Sequence, residues 1–270
     1  MEDNASERHW CSTAIRSNSK KGASLLSELL RRTALQEARP TEQTSELLAR
    51  LVTSSKRATV AFLSANSAYI AYQHHELVQA FEGTSIVLPD GVGIRLLSRF
   101  AGQTIHTNVP GTDLVPRLLN DKHLSGKRVF LLGHIPDAHD SLIHGFKDRF
   151  PNVNLVGWHH GFFADFMNDS IVAAINHTGP DVLLVGMGTP RQETWVFNNS
   201  PFLNVPLVIS VGGLFQYWTG ELKRTPSWLR FLRLEWLWIL VHQPWKWHRY
   251  CAEGPRLIWK EFVQSYVASL

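Results

Sequence analysis

The feature that most constrains this chain is a recurrence. Short, almost wholly apolar runs each end in a polar or glycine-rich turn, and helical stretches separate them. The runs fall at residues 59–63, 86–88, 128–132, 153–156, 182–185 and 207–211. A strand that is apolar on both faces must be covered on both faces, which is the habit of parallel sheets flanked by helices. The expected fold class is therefore α/β, a mostly parallel sheet with helices on both faces. Its turns should gather along one edge, where ligands of such sheets bind. No internal repeat interrupts the pattern.

Length and composition set limits on the rest. The 270 residues suffice for a domain of about 200 residues with additions at its ends. Residues 1–21 are polar, rich in Ser and Asn and aperiodic, which predicts disorder. Leu25, Leu26, Leu29 and Leu30 keep helical spacing, so a helix is expected over 23–38, and a shorter one over 46–52. The chain is read as an N-terminal extension (1–57), a core (58–220) and a C-terminal appendage (221–270). Net charge is only +4 and no nucleic-acid motif accompanies it, so no nucleic-acid partner is expected. Two cysteines, Cys11 and Cys251, make neither a disulfide framework nor a zinc site, and fit a reducing cytoplasm. No run approaches the roughly 20 apolar residues of a spanning helix, and the first thirty residues lack a signal-peptide pattern. A soluble protein, or one peripheral to a membrane, is expected.

The appendage has a composition of its own. Lys223, Arg224, Arg230, Arg233, Lys246, Arg249, Arg256 and Lys260 face only Glu221, Glu235 and Glu253 across residues 221–260. Trp228, Trp236, Trp238, Trp245, Trp247 and Trp259 lie among them. Cations suit phosphates and indoles suit the headgroup level, so the appendage reads as a helical, membrane-contacting surface. A packed helical cap with a solvated basic face would give the same composition.

Two segments carry chemistry. In residues 85–93, S-I-V-L-P-D-G-V-G, a strand ends at Pro89 and is followed at once by Asp90, Gly91 and Gly93. An acid at the carboxyl end of a strand lies where ligands bind, although Asp-Gly is also ordinary turn chemistry. Residues 186–193, G-M-G-T-P-R-Q-E, follow a buried strand. Gly186 and Gly188 free the backbone, Pro190 can begin a helix, and N–H groups at the helix start favour phosphate. Arg191 adds charge and Gln192 a hydrogen-bonding amide. The segment is neither a Walker loop nor a dinucleotide fingerprint. His159 and His160 are adjacent in an expected strand, so they should point to opposite faces and not share a metal. No Asp-x-Asp pair is present, so a metal-independent site without cofactor is expected; no Gly-x-Ser-x-Gly elbow points to a serine hydrolase.

Taken together, P-D-G-V-G (89–93), V-P-G-T-D-L (109–114), M-G-T-P-R-Q-E (187–193), V-G-G (211–213), K-R-T-P-x-W (223–228) and L-E-W-L (234–237), in this order, resemble the WecG/TagA/CpsF family of bacterial glycosyltransferases. The likeness covers about residues 58–260. It implies a Rossmann-like domain with a C-terminal appendage that helps complete the site. It implies inverting transfer of a sugar from a UDP-sugar to a polyprenyl-diphosphate-linked acceptor, peripheral on the cytoplasmic membrane face. Asp90 corresponds to the family's proposed base, Gln192 to its active-site glutamine, and Ser64 and Asn66 to its Thr-x-Asn element.

The substrate-binding set expected from residues and resemblance adds Gly91, Asn108, Gly133, Gly186, Gly188, Arg191, Gly212, Gly213, Arg224, Lys246 and Arg249. Asn108 stands where the family usually has arginine, and so does Ile239 in L-E-W-L-W-I. Lys246, Arg249 and Arg224 are then the candidate cations for the diphosphate. The E-W-L-W-I-L variant resembles exopolysaccharide members that transfer glucose, so UDP-glucose is the expected donor, with N-acetylmannosamine or its uronic acid the alternative. A homo-oligomer is allowed. A non-catalytic UDP-sugar scaffold and an NAD-dependent oxidoreductase or epimerase are rival classes; the missing dinucleotide fingerprint speaks against the latter.

Overall fold

The computed structural model describes residues 29–30, 40–54, 56–100, 105–226, 228–229, 235–244, 247, 256 and 259. In chain order the helices and strands are α1 (Thr41–Val52), β1 (Ala58–Leu63), α2 (Ala65–Gln73), α3 (His75–Glu82), β2 (Ile86–Pro89), α4 (Val92–Phe100), α5 (Gly111–Leu119), β3 (Arg128–Gly133), α6 (His139–Arg149), β4 (Asn154–His159), α7 (Asn168–Thr178), β5 (Val182–Gly186), α8 (Arg191–Asn199), β6 (Leu207–Ser210), α9 (Leu214–Trp218) and α10 (Glu235–His242).

The six strands form one sheet in the order β2-β1-β6-β5-β3-β4, and every pairing is parallel. The chain builds β1 and β2, crosses to build β3 and β4, and only then fills the gap with β5 and β6. β6 therefore joins two halves, pairing Leu207 with Ala58 on one side and with Val182 on the other.

Side chains alternate across the pleat. Val129 and Leu131, Val182 and Leu184, and Leu207 and Ile209 face one layer, with Leu48, Leu114, Phe146, Phe215 and Trp218. Phe130, Leu132, Leu183, Val185 and Val208 face the other, against Ile171, Ile175 and Val196. Ala61, Leu63 and Val87 continue that second layer against Leu77, Phe81, Ile94 and Leu97. The α/β architecture read from the apolar runs is thus present, with helices on both faces.

Three local expectations differ from the result. The sequence reads as one helix over 67–81, but the stretch after β1 forms two, because His74 is extended (φ −124°, ψ 104°) between α2 and α3. β4 runs to His159 and carries a bulge where Gly157 stands opposite Phe130. His160 lies past the strand end, so its ring sits 4.5 Å from that of His159 rather than on the opposite face. Among the described residues no group of three or more His, Cys, Asp or Glu is placed to hold a metal ion.

α1 also belongs to the core in packing terms. Leu48, Ala49 and Val52 are buried in the first layer, and Glu42 pairs with Arg117 of α5 at 3.0 Å. The helix expected over 23–38 lies largely outside the described residues. No helix among the described residues is long and apolar enough to cross a membrane.

Candidate active site

The carboxyl ends of β1, β2, β5 and β6 surround a cavity of about 250 Å³. Asp90 and Gln192 border it together with Ser64, Asn66, Gly212 and Gly213. Each is delivered by the turn that follows a strand or by the first turn of the next helix, so the pocket is a property of the parallel sheet: all carboxyl ends point one way.

Asp90 is fixed by its backbone. Its N–H donates to the carbonyl of Leu63 at 2.9 Å, tying the end of β2 to the end of β1. Gly91 follows with φ +92°, a left-handed conformation that favours glycine. The Gly91 N–H donates to Asn108 Oδ1 at 2.6 Å, and Val109 N–H donates to the carbonyl of Pro89 at 2.9 Å. Asn108 therefore braces the Asp90 turn; neither it nor Gly91 borders the cavity. Burial, then the nearby carboxylates of Glu235 and Asp113, push the Asp90 pKa from 3.8 up to about 7.

Ser64 caps α2. Its Oγ accepts from Ser67 N–H at 3.2 Å while Ser67 Oγ accepts from Ser64 N–H at 2.7 Å, a reciprocal pair that fixes the turn carrying Asn66.

Gln192 is 3% exposed and staples two turns together. Its Oε1 accepts from Gly212 N–H at 2.9 Å and from Gly188 N–H at 3.3 Å. Its Nε2 donates to Glu193 Oε1 at 2.7 Å, which also accepts from Thr189 Oγ1 at 3.1 Å. Glu193 is buried, which raises its pKa, and its Oε2 has no hydrogen-bond partner among the described residues. The backbone amides of Gly188 and Gly212, two of the expected substrate-binding residues, are thus already held by the glutamine.

Other expected residues lie elsewhere. Gly133 and Gly186 do not border the cavity; they meet each other across β3 and β5, where a Cβ on Gly133 would sit 2.3 Å from Gly186 O. Arg191 turns away, donating to the carbonyl of Phe163 at 2.5 Å and stacking over its ring. Arg224 donates to the carbonyl of Thr112 at 2.8 Å and pairs with Asp113. It therefore anchors the segment after α9 to the start of α5. Lys246 and Arg249 lie outside the described residues.

Several residues that the sequence reading missed also line the cavity: Ser67, Thr112, Thr189, Ser210, Gln216, Tyr217 and Gln243; Ile239, which stands where the family usually has arginine, lines it as well. Thr112 and Thr189 sit inside quoted motifs. Ile239 and Gln243 come from α10 and the residue after it, so this part of the appendage contributes to the cavity wall. Trp238 Nε1 donates to the carbonyl of Lys223 at 3.3 Å, holding α10 to the crossing segment. His134 Nε2 lies 3.1 Å from Glu221 Oε1 at the start of that segment.

A 28% identical relative over 192 residues, 71% of this chain and 74% of its own, is the N-acetylglucosaminyldiphosphoundecaprenol N-acetyl-beta-D-mannosaminyltransferase of Bacillus subtilis (strain 168). Proteins of the same name from Staphylococcus aureus strains MRSA252 and NCTC 8325 are 28% identical over 177 residues, 65% of this chain and 69% of theirs. The family profile described as "Glycosyl transferase WecG/TagA/CpsF family" matches residues 33–269. That match spans the sheet, the Asp90–Gln192 cavity and the appendage alike, and the chain belongs to this glycosyltransferase family.

Proposed function

We propose that this chain transfers a hexose from a UDP-sugar to a sugar carried on a polyprenyl diphosphate, with Asp90 as general base. The observation that carries the reading is an acid with a pKa of about 7 in a cavity shared with Gln192. A base works best with its pKa near the operating pH and typically contributes about 10²–10⁴-fold.

In the proposed step the acceptor hydroxyl attacks the anomeric carbon from the face opposite UDP. A C–O bond forms as the bond to the β-phosphate oxygen breaks. Asp90 takes the hydroxyl proton, UDP leaves with the electron pair, and the configuration inverts. Charge growing on UDP needs donors or cations. Gln192 occupies the Gly188 and Gly212 amides, so that task falls to the Gly213 turn and the appendage, with Lys246 and Arg249 the candidates.

The relatives are named for N-acetylmannosamine transfer to an N-acetylglucosaminyl diphospholipid, which favours that donor and acceptor over the glucose read from E-W-L-W-I-L. The appendage exposes Trp228, Trp247, Trp259, Leu237 and Val241. Such a surface supports docking at the cytoplasmic membrane face, where the lipid acceptor resides.

The test is a UDP-release assay pairing UDP-N-acetylmannosamine, UDP-N-acetylglucosamine and UDP-glucose with prenyl-diphosphate N-acetylglucosamine. Release that depends on acceptor and collapses in Asp90→Asn is the expected result. Acceptor-independent release, or wild-type turnover in Asp90→Asn, rejects the base assignment.

A further inference from the structure

Glu193 is a buried acid that the proposed transfer step does not use. It stands in the first turn of α8 and is 3% exposed. Carboxylates are almost never so buried without partners. Burial raises its pKa, so its charge is costly where it sits. The two donors bonded to its Oε1, the Gln192 amide and the Thr189 hydroxyl, are both uncharged. An acid kept under those conditions asks for a reason, and the two donors supply one: both residues border the cavity, while Glu193 itself does not.

A glutamine amide has an accepting end and a donating end. The accepting end of Gln192 holds the Gly212 and Gly188 N–H groups at 2.9 and 3.3 Å. Turning the amide over would set its NH2 against those two donors. The Glu193 carboxyl takes the donating end at 2.7 Å, and so selects the same orientation from the other side. Gly188 follows β5 and Gly212 follows β6, and these strands are neighbours in the sheet. One carboxyl oxygen, acting through one amide, therefore fixes the turns after two adjacent strands. The same oxygen takes the Thr189 hydroxyl, four residues earlier, at 3.1 Å. That bond ties the β5 turn to the helix it opens.

Resting on the transferase reading above, we propose that Glu193 is a positioning residue for sugar transfer, whose Oε1 holds Gln192 and Thr189 in place along the cavity wall. Its reach matters and its charge does not: both bonds need an accepting oxygen at the right distance. Side chains that border a site hold substrate only as precisely as the groups behind them hold those side chains.

Two conservative variants separate reach from charge. Glu193→Gln keeps an accepting oxygen at the same point of the side chain and discards the charge. Glu193→Asp keeps the charge and draws the oxygen back by one methylene. The full chain is assayed as wild type and as each variant, at a temperature where melting curves show all three folded. The readout is acceptor-dependent UDP release, with UDP-N-acetylmannosamine and UDP-glucose as donors and a short-chain prenyl-diphosphate N-acetylglucosamine as acceptor. Glu193→Asp is expected to lower kcat/KM about tenfold, most of it as a raised KM for one of the two substrates. Glu193→Gln is expected to stay within about threefold of wild type. With Gln192→Leu already in place, Glu193→Asp should cost little more, because the main group it positions is gone.

A loss in Glu193→Gln as large as that in Glu193→Asp assigns the role to charge. Wild-type kcat/KM in Glu193→Asp denies any positioning role, and a loss confined to kcat places Glu193 in the chemical step. Additive losses with Gln192→Leu make the two residues independent. Each of these results overturns the proposal while leaving the transferase reading intact. Should Glu193→Asp not fold, Glu193→Gln decides alone, and a loss of about tenfold there overturns the proposal. Wild-type protein inert toward every sugar nucleotide overturns the proposed function, and this inference with it.

Discussion

The carboxyl edge of the sheet has two halves that look alike in sequence and behave differently in space. Beyond β3, Gly133 (φ +143°) lies against Gly186, His134 N–H donates to the Gly186 carbonyl at 3.2 Å, and Trp158 Nε1 donates to Gly133 O at 3.1 Å. That half is filled by its own chain. Beyond β1, β2 and β6, the turns instead stand back around a cavity lined by Ser64, Asp90 and Gly212. A glycine-rich turn thus marks close approach, and the partner approached can be backbone as readily as ligand.

The comparison breaks first at Asp90. Asp90→Asn should lower transfer by about 10²–10⁴-fold while sugar-nucleotide binding changes little, as read by steady-state kinetics and calorimetry. With its pKa near 7, wild-type kcat/KM should rise through that pH as a single ionisation. Stability should move the opposite way. The folded protein retains a proton that the unfolded chain releases near pH 3.8, so this contribution is full below that pH and lost as pH rises through about 7. Asp90→Asn should therefore melt no lower than wild type at pH 8, the signature of an acid kept for chemistry.

On the filled side, the expected loss is in folding. A Cβ at Gly133 would meet Gly186 O at 2.3 Å, so Gly133→Ala should destabilise by about 2–4 kcal/mol, visible in denaturant melts. Gly91→Ala has open space around its Cβ and meets only the left-handed backbone, a penalty of about 1–2 kcal/mol. If Gly91→Ala proved the more damaging to stability, the contrast between the halves would fail.

Gln192 lies between the two. Gln192→Leu leaves the Gly188 and Gly212 amides without their acceptor, a loss of about 1–3 kcal/mol, and should raise KM more than it lowers the melting temperature if those turns also hold substrate. The smallest effect belongs to Arg224. Its pairing with Asp113 is about one-third exposed on both sides (37% and 36%), so water screens it, and Arg224→Ala should cost about 0–1 kcal/mol. A large loss of transfer in that variant would mean that the guanidinium leaves Asp113 to meet the diphosphate.

The fold was legible because burial on both faces writes itself as uninterrupted apolar runs. The runs at 182–185 and 207–211 became β5 and β6 to within a residue. Helix boundaries were less so: nothing in the stretch around His74 signals its extended backbone. In the site, Asp90 and Ser64 were recoverable because each follows a strand directly, and Asn66 and Gln192 because each stands in the first turn of the helix that comes next. Arg191 misled, because a cation beside a glycine turn says nothing about which side of the helix start it will occupy. Gln243 was invisible, since a glutamine before Pro244 carries no motif.

The late arrival of β6 has a consequence for synthesis. Until residues 207–210 leave the ribosome, the β1–β2 and β3–β5 pieces share no ladder, because the strand that bonds both is the last of the described strands in chain order. The nascent chain must keep two half-sheets from aggregating through their bare inner edges. Even then it lacks the wall contributed by Ile239 and Gln243. Competence for binding a sugar is thus postponed until residues 239–243 are made, and a product cut short after β6 would have a continuous sheet beside an unfinished cavity.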